Sequence, residues 1–234
     1  MKCLVRLEGP EEGLNELSQF LKNIEDVRIF KEGDFYYVES NQLDNIKTYD
    51  EASDKAKLIL AEIKGIAQLL LLWNIPITIG AMRRPDKNGV MQDIVQKECT
   101  FCIRSAQPRT ITHNQKKVEL VPEIFFPNFI HLAKKDDFVL YVLQMVDYAF
   151  GTWWGLFCII EAIENDARGY KNLKWMNQKE RSRFRATAQD RRLIGKYSRH
   201  GYKYTGKIEK NPMTFLEAQK FVWDSVIKWL LDKY

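Results

Sequence analysis

Apolar and polar residues alternate over short runs in the first part of the chain, and this period of two is typical of strands. Residues 2–7, 27–30 and 35–39 have the pattern. The last two runs are separated by four residues that include Gly33, which accepts a positive φ, so they predict a hairpin. Three later runs predict further strands, at residues 75–79, 90–94 and 98–103.

Two helices are predicted among these strands from apolar residues spaced three and four apart. The first is short and contains Leu14, Leu17, Phe20 and Leu21. The second begins near Asp50 or Ser53, either of which can cap it, and ends at a proline. Its apolar stripe consists of Ala56, Ile59, Leu60, Ile63, Ile66, Ala67 and Leu70.

Helical spacing dominates after about residue 128. Asp136 and Asp137 suit the start of a helix, because carboxylates are favourable near its positive end, and the apolar positions then predict one central helix over residues 136–168. A second helix is expected from about 177 to 199. Thr214 and Glu217 have the spacing of a capping box, which predicts the start of a third helix.

The change of pattern along the chain predicts an α+β protein in two parts. Residues 1–122 are predicted to form a mixed α/β domain, and residues 128–234 an all-α helical bundle. Residues 107–127 contain three prolines and no long periodic pattern, so we expect a connection there, with one short strand at 118–121.

The composition limits the compartment and the chemistry. The apolar region 138–163 is interrupted by Gln144 and Asp147, which are costly in a bilayer, so we expect a buried helix and no membrane association. Without a secretory leader the four cysteines are expected to be reduced and the protein cytoplasmic. Nucleotide-binding and hydrolase glycine motifs are absent.

A Cys-x-x-Cys pair at Cys99 and Cys102 has the spacing of half a zinc site or of a redox pair. No second pair accompanies it, so structural cysteines are the expectation, with zinc binding as the alternative. His113 and His131 are expected to be ordinary surface or interface histidines. No metal and no cofactor are predicted.

Charge is concentrated in one segment. The chain as a whole has a net charge of +5, but residues 168–210 contain fourteen Lys and Arg residues against three acidic ones. Such a run suits a polyanionic partner, and the alternative is a solvated helix surface. We call residues 168–210 the basic segment.

Four cations of this segment would share one helix face if the helix continued to residue 200. Arg185, Arg192 and Arg199 are seven residues apart, and Lys196 lies four after Arg192. They are the candidate phosphate- or RNA-binding residues, because guanidinium groups suit phosphate. His200 follows on the same face.

A histidine beside arginines has the groups needed for metal-independent RNA cleavage. His200 would transfer the proton of a 2′-hydroxyl, and Arg192 or Arg199 would stabilise the charged phosphorane. Glu161, or Glu164 one turn later, could pair with these groups across the bundle. The candidate catalytic set is therefore His200, Arg199, Arg192 and Glu161. The alternative is that Arg199 and His200 only cap a helix C-terminus.

A succession of short motifs in the C-terminal half is similar to that of a known family. The motifs are Trp154, Phe157, Ile160-Glu161, Arg183-Phe184, Thr187-Ala188, Ser198-Arg199-His200-Gly201, Pro212-Met213-Thr214, Glu217-Ala218 and Trp229-Leu230, and more loosely Tyr36-Tyr37-Val38-Glu39-Ser40. In this succession the chain resembles uncharacterised bacterial proteins with a HEPN-like helical domain. The resemblance implies a helical bundle, often dimeric, and ribonuclease activity in antiviral defence or toxin-type systems. The family's Arg-x(4–6)-His motif is not matched, because Leu193, Ile194 and Gly195 occupy the arginine positions.

These observations give two hypotheses of different classes. In the first, the protein binds RNA or another phosphate-bearing ligand and is a candidate metal-independent endoribonuclease. In the second, it is a non-catalytic protein–protein interaction module or a homo-oligomeric scaffold. The sequence leaves open whether it is an enzyme.

Overall fold

The computed structural model describes residues 3–44, 46, 48–71, 76–85, 91–94, 109–198 and 209–234. Contacts between residues divide the chain into two compact units. The N-terminal unit comprises residues 1–108 and 120–130, and the C-terminal unit residues 109–119 and 131–234. A sheet with helices is followed by a helical part, which confirms the α+β class. The domain boundaries at 122 and 128 stay a prediction.

A five-stranded antiparallel sheet organises the N-terminal unit. Its strands are β1 (Leu4–Glu8), β2 (Val27–Glu32), β3 (Phe35–Ser40), β4 (Thr78–Pro85) and β5 (Met91–Ile94), in the spatial order β2-β3-β1-β4-β5. Helix α1 (Glu11–Phe20) connects β1 to β2, and α2 (Tyr49–Leu71) lies between β3 and β4 in sequence. The first four strands and two helices thus follow the ferredoxin-like split βαβ order.

The predicted hairpin is confirmed. Glu32 pairs with Phe35 across a two-residue turn in which Gly33 has φ +60°. In β1, Val5 and Leu7 are buried while the residues between and beside them are partly exposed, as the alternation required.

Both helices of the N-terminal unit bury the predicted residues, except that Phe20 is half-buried. Leu14 and Leu17 of α1 are buried, and so is the whole predicted stripe of α2. The predicted cap of α2 is wrong. The helix begins before Asp50 and Ser53, and the Thr48 hydroxyl accepts the Glu51 amide at 3.3 Å, so the threonine satisfies a first-turn donor.

The prediction of an irregular connection over residues 107–127 is wrong where the structure describes it, although the short strand predicted at 118–121 overlaps an observed strand. Strands β6 (Arg109–His113) and β7 (Lys116–Leu120) form a hairpin, and helix α3 (Pro122–Lys135) follows. Asn114 and Gln115 close the hairpin with positive φ. Pro122 is the first residue of α3, where a missing amide proton costs nothing. Pro122 therefore begins α3 and Pro127 lies within it, so neither proline excludes an element.

The single central helix predicted over 136–168 is two helices, α4 (Asp137–Ala149) and α5 (Trp153–Asp166). Thr152 caps α5 by accepting the amide of Gly155 at 3.0 Å. A Cβ on Gly155 would lie 2.0 Å from the carbonyl oxygen of Ala149, so the turn requires glycine there. The apolar spacing continues across this turn, so the sequence pattern did not indicate that the helix is interrupted.

Helices α4 and α5 fold back on each other as an antiparallel hairpin. Lys233, at the end of α8 (Phe215–Lys233), forms ion pairs with both Asp136 and Asp166. The start of α4 and the end of α5 therefore lie side by side. Burial lowers the pKa of Lys233, but the bonds to the two carboxylates outweigh it and raise the pKa above its usual value.

The remaining helices complete the C-terminal unit. They are α6 (Gln178–Gln189), the single turn α7 (Arg191–Ile194) and α8. Asn177 caps α6, and the predicted capping box of Thr214 and Glu217 is confirmed. Phe184 of α6 stacks with Phe157 at a ring-centroid distance of 6.2 Å and packs against Phe221 at 5.3 Å. Among the described helices, none is long and apolar enough to cross a membrane.

Candidate phosphate-binding surface

The arginines of α6 converge on a carboxylate of α5. Arg181 donates to both oxygens of Glu164, from Nε at 2.5 Å and from Nη2 at 2.8 Å. Arg185 donates from Nη1 to the same carboxylate at 3.1 Å. The hydrogen bond to Glu164 raises the pKa of Arg181 above its usual value. These arginines hold α6 on α5, which is the structural role that a buried carboxylate demands.

Aromatic rings support the same two guanidinium groups. Arg181 lies over Tyr170 with its Cζ 3.8 Å from the ring centroid, and Arg185 lies over Phe157 at 5.0 Å. Stacking of this kind adds cation–π attraction to the ion pairs. Its geometry depends on the planar guanidinium, so lysine is a poor replacement here.

A third arginine of α6 binds the start of α8. Arg183 donates from Nε to the carbonyl oxygen of Asn211 at 2.6 Å and from Nη2 to that of Pro212 at 3.1 Å. It also reaches the Glu217 carboxylate at 3.1 Å. The Thr214 amide, the Arg183 guanidinium and the Thr214 hydroxyl together lower the pKa of Glu217. Arg183 thus connects two helices.

The predicted single helix across residues 177–199 is wrong, and with it the shared helix face for Arg185, Arg192 and Lys196. Helix α6 ends at Gln189, and Asp190 adopts an extended backbone that begins α7. Its buried carboxylate accepts the Arg192 amide at 2.9 Å and the Arg192 guanidinium at 2.5–3.1 Å. The guanidinium lowers the pKa of Asp190. An aspartate inside the predicted helix was the available signal, because this residue favours N-caps.

The described lysines of the basic segment have a different environment from these arginines. All are exposed, and so is Arg168. Within the described ranges 109–198 and 209–234, none of six exposed cations forms an ion pair. They are Arg168, Lys171, Lys174, Lys179, Lys196 and Lys210. Lys196 lies beside the exposed ring of Tyr197, 5.4 Å from its centroid. The segment therefore carries unneutralised positive charge on its surface.

Several candidate residues lie outside the described residues. Arg199 and His200 do, and so do Cys99 and Cys102. Glu161 is half-buried on α5, and among the described arginines of α6 it is Glu164, not Glu161, that receives the guanidinium groups. Within the part of the chain that the structure describes, no group of three or more metal-ligating side chains is present.

The two histidines differ in environment. His131 is exposed, as expected. His113 is buried, so of the two expected places, surface or interface, the surface is excluded. Its Nε2 lies 2.9 Å from an Asp232 oxygen at the end of α8, and Trp175 donates to the same carboxylate. His113 thereby joins the β6–β7 hairpin to α8.

Carboxylates are the charged side chains of the α4–α5 hairpin, and three of them, Asp136, Glu164 and Asp166, are paired with cations from other helices. From residue 136 to 167, the span of the α4–α5 hairpin, the chain contains six carboxylates and no Lys or Arg. Asp137, Phe138, Tyr141, Cys158, Glu161, Ala162 and Asn165 line a groove of about 440 Å³ on this hairpin. We call it the α4–α5 groove. The lack of Lys and Arg over this span is visible in the sequence. The hairpin is not, because the apolar spacing continues through the turn.

No protein-family model matches the chain. No significant match was found among the curated proteins or the solved structures.

Proposed function

We propose that the C-terminal unit binds RNA or another phosphate-bearing ligand through the exposed cations of the basic segment. The observation that carries the proposal is the set of six exposed Lys and Arg residues without ion-pair partners among the described residues. Such charges attract polyanions and release their condensed counterions on binding. The exposed Tyr197 beside Lys196 offers a ring on which an unpaired base could stack.

The binding role predicted for Arg185 and Arg192 is a weaker part of this proposal. Each guanidinium donates to a carboxylate, of Glu164 and Asp190 respectively. A phosphate would have to displace or share that partner. The predicted role of Lys196 needs no such displacement, and that of Arg199 stays a prediction.

Salt dependence of RNA binding tests the proposal. We expect a labelled single-stranded RNA to bind with an affinity that falls steeply with salt. Replacing Lys171, Lys174 and Lys179 together by Gln should weaken binding and reduce the log–log slope by about 2, at roughly 0.7 per phosphate contact. A matched control replaces Lys22, Lys116 and Lys117 by Gln, which removes equal charge elsewhere. Equal effects of the two triple variants would contradict the proposed surface.

Ribonuclease activity is a separate proposal that depends on His200. Imidazole is the side chain whose ordinary pKa permits proton transfer near neutral pH, and Arg199 beside it supplies phosphate-binding charge. We expect cleavage in EDTA that leaves a 2′,3′-cyclic phosphate and spares DNA of the same sequence. His200→Ala should abolish cleavage and change RNA affinity only a few fold. Unchanged cleavage by this variant would remove the enzyme hypothesis.

A HEPN-like relationship and a role in antiviral defence remain hypotheses of the same kind. They agree with a helical C-terminal unit, which many unrelated proteins also have. The homo-oligomeric alternative is checked by sedimentation of the purified chain, where a concentration-independent monomer would count against it.

A further inference from the structure

Arg168, which follows the end of α5, has a left-handed backbone conformation. Its φ is +55°, and within the described ranges Asn114 and Gln115 are the only other residues besides glycine with a positive φ. A Cβ is crowded in this region, so glycine is the usual residue at such a position after a helix. The chain thus has an arginine where the backbone favours glycine.

Hydrogen bonds hold this conformation in place. The amide of Gly169 donates to the carbonyl oxygen of Glu164 at 2.7 Å. The side-chain amide of Asn172 donates to the carbonyl oxygen of Ala167 at 2.7 Å and to that of Arg168 at 3.4 Å. A strained backbone persists only where the surrounding structure fixes it in this way. Arg168 therefore projects from a fixed turn.

The Arg168 side chain is exposed and has no ion pair among the described residues, unlike the arginines of α6. Residues 167–177, which we call the α5–α6 turn, contain three Lys or Arg residues and no acidic residue. The helix dipole favours a cation near the end of α5. A cation within the last turn of the helix would gain the same benefit without a positive φ, and that turn has none. The dipole alone thus does not account for an arginine at this position.

We propose that Arg168 makes the principal phosphate contact of the basic segment when RNA binds. This role depends on the RNA binding proposed for that segment. A guanidinium group can donate to two phosphate oxygens at once, which the ammonium groups of the neighbouring lysines cannot do in the same planar geometry. A fixed turn also reduces the entropy lost on binding. Strained residues are retained at binding sites at a cost in stability, and Asn172 is then a positioning residue.

RNA affinity measured at several salt concentrations tests the contact. With a labelled single-stranded RNA, Arg168→Gln should weaken binding about tenfold and lower the log–log salt slope by about 0.7, the value for one phosphate contact. Lys210→Gln removes another exposed cation of the same segment and should weaken binding by less than about threefold. Equal effects of the two variants would overturn the proposal.

Stability and binding should change in opposite directions in Arg168→Gly. The variant loses the guanidinium and relieves the positive φ, so RNA binding should weaken while the midpoint of thermal unfolding rises by about 2 °C. Gln115→Gly is the matched control, because it relieves a φ of +65° in the β6–β7 turn. It should raise the midpoint and leave RNA affinity unchanged. A lower midpoint in Arg168→Gly would show that the arginine serves the helix end, and would overturn the proposal.

A double-mutant cycle tests the positioning role of Asn172. Asn172→Ala removes no charge, yet it should weaken RNA binding about threefold in the wild type and have no further effect in Arg168→Gln. Equal losses in both backgrounds would contradict the role. RNA binding that the triple lysine variant weakens and Arg168→Gln does not would remove this inference and leave the proposed function. A wild type that binds no RNA would remove both.

Discussion

The arginines of α6 and the lysines of the basic segment have opposite roles in the C-terminal unit. Arg181, Arg183 and Arg185 of α6 all donate to carboxylates, whereas the described lysines of the segment are exposed. A planar guanidinium can donate to two oxygens and stack on a ring, while an ammonium group is strongly hydrated and remains in water at little cost. The net charge of a segment therefore overestimates the number of its cations that a ligand can reach.

The largest effect is expected from removal of the Glu164 carboxylate, which binds two arginines of α6. Glu164→Gln should destabilise the protein by about 3 kcal/mol, because the amide leaves two little-exposed guanidinium groups without a counter-charge. Urea unfolding followed by circular dichroism measures the loss. Glu180→Gln, at an exposed position of α6, is the matched control and should have little effect. Equal stability of the two variants would show that the Glu164 cluster does not hold α6 in place.

Exchange of arginine and lysine tests whether the two kinds of cation have different roles in stability. Arg181→Lys keeps the charge but loses the two-point bond to Glu164 and the stacking on Tyr170, so we expect a loss of about 1–2 kcal/mol. Lys179→Arg, two residues earlier and exposed, should leave the free energy of unfolding within about 0.5 kcal/mol. The comparison fails if Lys replaces Arg181 without loss.

The pH dependence of stability reports on Asp190. Its folded pKa is lowered from 3.8, chiefly by hydrogen bonds from Arg192. The stabilisation is therefore complete above the unfolded pKa and is lost as pH falls through the lower folded value. Asp190→Asn keeps a capping side chain but loses the ion pair, and should cost up to about 1 kcal/mol at pH 7. The difference from the wild type should shrink below about pH 4 in parallel urea titrations, and a constant difference would contradict this assignment.

The smallest effect is expected for the exposed lysines. Replacing Lys171, Lys174 and Lys179 together by Gln should change the free energy of unfolding by less than about 0.5 kcal/mol, since these side chains have no ion pair among the described residues. Thermal unfolding is the measurement. A large loss would place these lysines with the structural arginines and would weaken the binding proposal as well.

Local signals in the sequence predicted much of the fold. The alternation in β1 locates that strand, the Gly33 turn locates the β2–β3 hairpin, and three-and-four spacing determines the buried stripe of α2. The capping box of Thr214 and Glu217 locates α8 to the residue. Each of these depends on side chains within four positions of one another, so a single sequence contains the information.

Breaks within apolar or basic runs were not predictable in the same way. The turn between α4 and α5 depends on Gly155 approaching Ala149, and residues on both sides continue the same apolar spacing. The end of α6 depends on Asp190, which a helix tolerates and a cap prefers. In both cases the local pattern is compatible with a continuous helix and with an interrupted one, and tertiary packing determines which conformation forms.

The amino-acid sequence establishes how much charge the chain carries and where along the chain it lies, with a basic segment at residues 168–210 and an acidic span at 136–167. Which of these charged side chains form ion pairs depends on the tertiary structure. Glu164 lies seventeen or more residues from every arginine of α6, yet it binds two of them. Such pairing depends on how helices pack, because burial leaves a carboxylate no solvent and requires a partner wherever the fold places one. The exposed lysines and the α4–α5 groove are what that packing leaves at the surface.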